Sequence, residues 1–375
     1  MNCRYFEKCG ACSLLSVGYK DQLLRKKESV ADAFKAYRLP IEVADVEGMS
    51  EPFGYRNKVI VYVTSKAGKT VFGMYEENSH KIVPTAACLL HDKRLNAVLD
   101  DLQMLLSKLK IRPDGFGGVL KNVLLRVGAA TGQVMVVFVT SDDMFHGRND
   151  LVKKLVALHP EIRTIVQNTN PRKTSVILGE REKVLYGSGY IYDVLLGKRY
   201  KISPRSFYQI NPYQTAKLYS KAIELAGLSK MSEPVVLDAY CGIGTIGLSA
   251  SADAGKLIGV EINPDAVRDA KMNARTNDVT NASFFCEDAK TFMRGYDSRV
   301  DVLFIDPPRS GCDEEFLSSV LKLRPGKIVY ISCNPETQAR DIKTLRKAYN
   351  YSVAYPFDMF PQTRHVENIV LLELL

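Results

Sequence analysis

The chain has 375 residues, 46% hydrophobic and 25% charged, with a formal net charge of +9 and a pI near 9.0. This is the make-up of a globular protein large enough for two or three domains, with a positive balance that favours a polyanionic partner such as nucleic acid. No apolar run is long enough to span a membrane and the first residues carry no signal-type stretch, so a cytoplasmic protein with reduced thiols is expected, and its eight cysteines suggest metal or catalytic use before disulfides.

In chain order, Cys3, Cys9 and Cys12 form C-x5-C-x2-C, and Cys88 is a distant fourth candidate. Three close thiols and a remote fourth suit a tetrahedral sulfur site, zinc or a four-iron cluster, and spacing does not choose between them. The C-x3-C-x2-C run of radical enzymes that cleave S-adenosylmethionine is absent. From Tyr19 to Tyr37 the pattern predicts a basic helix ended by Pro40, with Leu23, Leu24, Val30, Ala33 and Phe34 for its apolar face. Its charges, Lys26 among them, read singly as a solvated face.

Residues 55–84 read as a β-meander with a turn at Lys66-Ala67-Gly68-Lys69. A helix over Lys93–Lys108 and strands at Val119–Val127, Gln133–Thr140, Thr164–Asn170 and Val176–Leu178 follow. The region is expected to be antiparallel β with interleaved helices, placed against RNA or another substrate. A segment with prolines at both ends, Pro204 to Pro212, leads into the next domain and a helix over Tyr213–Ala226.

Val235-Val236-Leu237-Asp238 predicts a buried strand opening into the glycine loop Gly242-Ile243-Gly244-Thr245-Ile246-Gly247. A nicotinamide dinucleotide is one candidate ligand. Asp238 argues against it, since a carboxylate beside a pyrophosphate is repelled, whereas it suits the cationic amino acid portion of S-adenosylmethionine. The next strand ends in Glu261, placed for two ribose hydroxyls, and a third leads to Asp288, placed for the adenine amine.

Two short apolar runs, Val302–Ile305 and Ile328–Ile331, predict buried parallel strands ending in Asp306-Pro307-Pro308-Arg309 and Ser332-Cys333-Asn334-Pro335. Strand ends of one parallel sheet share a crevice, which puts an acid and a thiol together. Asp-Pro-Pro suits methyl transfer to an amine, but the cysteine shifts the acceptor to carbon. C5 of uracil is a poor nucleophile until a thiolate adds to C6 and makes it an enolate carbon. A base must then remove the C5 proton. Glu367, just before the closing strand Ile369–Leu372, is the residue chosen for this, with His365 as a neighbour.

The runs Asp306 to Gly311, Tyr330 to Thr337 and Phe357 to Glu367, together with Ser206 to Asn211, resemble the signatures of RNA uracil-C5 methyltransferases over essentially the whole chain. The resemblance implies an α/β, Rossmann-like S-adenosylmethionine-dependent domain. It implies Cys333 as nucleophile, Glu367 as proton acceptor and cofactor contacts from Gln209, Tyr240, Glu261 and Asp306. The N-terminal cysteines are similar to those of the ribosomal branch, which implies a 4Fe-4S cluster on Cys3, Cys9, Cys12 and Cys88. The first cysteine gap is shorter than in some relatives. The short form of that branch, without an added β-barrel, implies uracil 747 of 23S ribosomal RNA as acceptor, unpaired or flipped out. The expected organisation is a cysteine segment 1–14 joined to a central domain 48–202 that binds RNA, a helical segment 15–47 packed on the catalytic domain, and that domain over 203–375. A monomer is expected.

Overall fold

The computed structural model describes residues 3–76, 79, 81–85 and 87–375; the first two residues of the cysteine segment, and positions 77, 78, 80 and 86 in and after the expected meander, lie outside the described residues. The chain divides into two compact units. One comprises Met1–Leu15, Glu51–Val194 and Lys201–Arg205; the other comprises Ser16–Ser50, Leu195–Tyr200 and Ser206–Leu375.

The first unit holds a seven-stranded sheet in the order Ile82–Pro84, Lys69–Tyr75, Lys58–Lys66, Leu120–Val127, Val134–Thr140, Ile162–Thr169 and Arg181–Gly187. Lys58–Lys66 alternates along its length, sending Val59, Val61 and Val63 to the core that helix Lys93–Lys108 fills with Leu95, Val98 and Leu102. The Asp92 side chain accepts the Arg94 N–H and starts that helix, a cap worth about 1 kcal/mol. The antiparallel expectation needs one correction. Val134–Thr140 and Ile162–Thr169 run parallel, because helix Arg148–Leu158 carries the chain back across the sheet between them. Val176–Leu178 is not a strand either. Asn170 Nδ2 donates to Val176 O at 2.7 Å and to Ile177 O at 3.0 Å, so a side chain occupies carbonyls that a ladder would use.

The second unit holds an eight-stranded sheet in the order Glu42–Val43, Tyr349–Phe357, Glu367–Leu374, Lys327–Ser332, Val302–Ile305, Val235–Asp238, Lys256–Glu261 and Ala282–Cys286. All neighbours run parallel except Glu367–Leu374, which is antiparallel to both of its own. Val302–Ile305 and Lys327–Ser332 are buried almost throughout, as their unbroken apolar runs require. Helix Tyr19–Ala36 contributes fully buried Val30 and Phe34 to the core around Leu303, Ile305 and Ile328, each worth about 1.5–3 kcal/mol. The solvated reading of that helix fails at Lys26, which is 1% exposed and paired with the fully buried Asp358. A buried ammonium persists only with such a partner, and the partner lies more than 300 residues away in sequence. Val235–Asp238 has Val302–Ile305 on one side and Lys256–Glu261 on the other, so strand order reverses there and a crevice opens beyond the carboxyl ends.

Candidate active site

The crevice begins where Val235–Asp238 ends. Gly244, at φ +83°, turns the chain into helix Thr245–Ala250. A Cβ on Gly247 would lie 2.9 Å from Leu257 and 3.2 Å from Asp238 Oδ2, so only glycine lets the helix start sit this close. The Gly247 N–H donates to Asp238 Oδ2 at 3.1 Å. Asp238 Oδ1, equally buried, has no hydrogen-bond partner among the described residues. Burial pushes this carboxyl up to about 7 against the Gly247 hydrogen bond, the charges of Asp306 and Glu261 raise it further, and the Tyr240 N–H lowers it without reaching hydrogen-bond geometry. An orphaned acceptor on a desolvated acid is a receptor for a cation, and the ammonium of an amino acid moiety fits it.

The other cofactor candidates stand around the same crevice. Glu261 Oε2 accepts the Gly242 N–H at 3.2 Å and Oε1 the Asn263 N–H at 2.8 Å, which fixes the carboxylate at its strand end. Asp288 caps helix Ala289–Gly295 by accepting the Thr291 N–H at 3.2 Å. Tyr240 packs its ring 5.5 Å from Phe316, and burial, with Cys312 and the charges of Asp313 and Asp288 also acting on it, holds its hydroxyl protonated. Gln209 hydrogen-bonds Tyr219, a fully buried phenol that also feels Asp306. Tyr219 gave no sequence signal beyond its helical apolar spacing.

Asp306, Cys333 and Glu367 meet at the ends of three adjacent strands. Ile305 pairs with Tyr330 in the parallel ladder, so Asp306 and Cys333 leave the sheet at the same edge. Ser332 pairs with Asn368 in the antiparallel ladder, which brings Glu367, the first residue of its strand, beside Cys333. Cys333 feels the charges of Glu367 and Asp306, and Glu367 feels that of Asp306. Burial pushes the half-buried Cys333 thiol up to about 11; Glu367 and Asp306 add to this, and Arg309 opposes it. Burial pushes Asp306 up to about 7 and Glu367 well above the carboxylate range. His365 lies with Nδ1 3.4 Å from Arg309 Nη2 and its ring edge-on to Phe360. Of these, Arg309 is the group that sequence reasoning undervalued: its position after Asp-Pro-Pro was visible, its bearing on the thiol was not.

In the first unit, Cys3, Cys9, Cys12 and Cys88 line one small cavity with Arg56 and His91. Burial raises Cys12 to about 12, with the other three sulfurs adding and Arg56 opposing. Burial, with Arg56 acting in the same sense, lowers His91 to about 4. Among the described residues no group of three or more His, Cys, Asp or Glu side chains is arranged to hold a metal ion, although all four sulfurs border a single space.

Comparison with known proteins identifies the family. The sequence pattern of the tRNA (uracil-5-)-methyltransferase family matches residues 18–374. An uncharacterized RNA methyltransferase of Halalkalibacterium halodurans is 40% identical over 99% of this chain and 83% of its own length. A second, from Staphylococcus aureus, is 40% identical over 99% of this chain and 84% of its own length. The crystal structure of Pyrococcus abyssi tRNA (uracil-54, C5)-methyltransferase with S-adenosyl-L-homocysteine superposes with a TM-score of 0.80 at 28% identity, covering 97% of this chain and 86% of that one. The chain therefore belongs to the RNA uracil-C5 methyltransferases, S-adenosylmethionine-dependent enzymes whose substrate is RNA.

Proposed function

We propose that the acceptor is a uracil of 23S ribosomal RNA, uracil 747, with Cys333 as nucleophile and Glu367 as proton acceptor. The observation that carries the chemistry is the register that sets Glu367 beside Cys333 at the strand end holding Asp306. The Cys333 thiolate bonds to C6, and the C5=C6 electron pair moves toward the C4 carbonyl as an enolate. S-adenosylmethionine supplies a methyl carbon bonded to a cationic sulfur that leaves as a neutral thioether. C5 forms the new carbon–carbon bond, Glu367 in its ionised form takes the C5 proton, and the S–C6 bond breaks to restore the thiolate. Burial and Asp306 favour neutral Glu367 in the free protein, so the step requires that its own proton has first left to solvent, which a bound cationic donor would favour. The thiol at about 11 is protonated in the free protein, and Arg309 is the cation that already favours its ionised form. Gln209, Tyr240, Glu261, Asp288 and Asp306 would hold the donor, and the buried Asp238 Oδ1 would be available to its ammonium.

The ribosomal target rests on the cysteines. A cubane takes one thiolate per iron, so it needs four sulfurs around a cavity, and Cys3, Cys9, Cys12 and Cys88 border one with Arg56 as a counter-charge. These four residues would hold a 4Fe-4S cluster with a structural role, and the unit carrying them would grip RNA. A transfer RNA acceptor is the second reading, favoured by the likeness to the Pyrococcus abyssi enzyme. Tritiated methyl transfer to 23S fragments and to transfer RNA transcripts decides between them: label at uracil 747 is expected, and label on transfer RNA alone overturns the ribosomal assignment.

A further inference from the structure

The segment from Asp358 to Val366, which delivers His365 and then Glu367 to the crevice, has no regular secondary structure of its own. It is held instead by the helix Tyr19–Ala36. Lys26 Nζ pairs with Asp358 Oδ1 and also donates to Phe360 O at 3.2 Å. Tyr19 donates its hydroxyl hydrogen to Asp358 Oδ2 at 2.7 Å and accepts the Met49 N–H at 2.8 Å. Gln22 and Gln362 exchange two hydrogen bonds, Nε2 to Oε1 at 2.9 Å and Gln362 N–H to Gln22 Oε1 at 3.1 Å. Gln362 sits at φ +69°, a conformation that a glutamine rarely adopts unless its surroundings impose it. Lys26, Gln22, Asp358 and Gln362 are all 3% exposed or less. Packing alone would be served as well by apolar side chains. Directional bonds to Asp358, Phe360 and Gln362, in the half of the loop that leaves the preceding strand, are what a fixed geometry needs.

We infer that Lys26, with Tyr19 and Gln22, forms a positioning strut that sets the loop and through it the place of Glu367 against C5 of the bound uracil. This rests on the reading of Glu367 as proton acceptor. Lys26, Tyr19 and Gln22 are positioning residues, since none touches the reacting atoms.

The test compares the full-length Lys26→Met, Lys26→Met/Asp358→Leu and Glu367→Gln proteins. The assays are turnover on uridine-containing RNA, trapping of covalent adduct on that RNA, and adduct formation on 5-fluorouridine RNA, where no C5 proton can leave. The double substitution removes both members of the buried pair, so it keeps the comparison alive if Lys26→Met alone fails to fold. The expected result is a fall in kcat of about tenfold to a hundredfold with little change in KM, the scale of a small misplacement at a reacting centre. Adduct should accumulate on normal RNA, adduct on 5-fluorouridine RNA should form at the wild-type rate, and the double variant should recover thermal stability but not turnover. Turnover that recovers together with stability in the double variant overturns the strut. So does wild-type turnover in both Lys26 variants while Glu367→Gln traps the adduct. Absence of trapping in Glu367→Gln overturns the role of Glu367 and with it the strut's purpose.

Discussion

Asp238→Asn should stabilise the ligand-free protein at pH 8 while destroying its affinity for the methyl donor. The buried carboxyl is held at about 7, against 3.8 for the same group in water. Between those values the folded state binds more protons than the unfolded one, so stability falls as pH rises through the window. At about 1.4 kcal/mol per unit, the lost stability is about 2 kcal/mol at pH 5 and about 4 kcal/mol at pH 8. An asparagine removes the titration and keeps an acceptor for the Gly247 N–H. Its amide nitrogen would lie unpaired where Oδ1 now is, at a cost of about 1–3 kcal/mol. That penalty does not depend on pH, so the stability of the variant relative to wild type should rise by about 2 kcal/mol from pH 5 to pH 8 whatever its size. Denaturant midpoints of the ligand-free proteins at the two pH values measure the gap, and calorimetry measures donor binding. Parallel pH dependences for the two proteins would refute the argument, and so would donor affinity retained by the amide.

Cys333→Ala should abolish both methylation and covalent adduct while donor binding persists; full turnover by this variant removes the thiol from the mechanism. Arg309 is the cation that favours the Cys333 thiolate, so Arg309→Gln should lower kcat/KM at pH 8 by about threefold to tenfold and move the rising limb of the pH profile upward, and an unmoved limb removes Arg309 from the thiol's surroundings. In the first unit, anaerobically reconstituted protein should absorb in the visible blue with about four irons per chain, and Cys12→Ser or Cys88→Ser should lower that content; zinc in place of iron refutes the cluster.

Local sequence pattern was enough to place the parallel strands of the second sheet and the carboxyl-end edge that they share. Strands buried on both faces are written as largely apolar runs, and the polar residues just after each run mark the carboxyl end, so Asp238, Glu261, Asp306 and the Ser332-Cys333 pair could be placed from local pattern alone. Pairings between distant segments leave no such local trace. Only the tertiary structure shows that Glu367–Leu374 runs antiparallel and starts beside Cys333, that Cys88 borders the same cavity as three cysteines more than 70 residues earlier, and that a parallel pair interrupts the first sheet. Lys26 makes the same point: on a basic helix its charge reads as solvated, and only the arrival of Asp358 from the far end of the chain makes a buried ammonium tolerable.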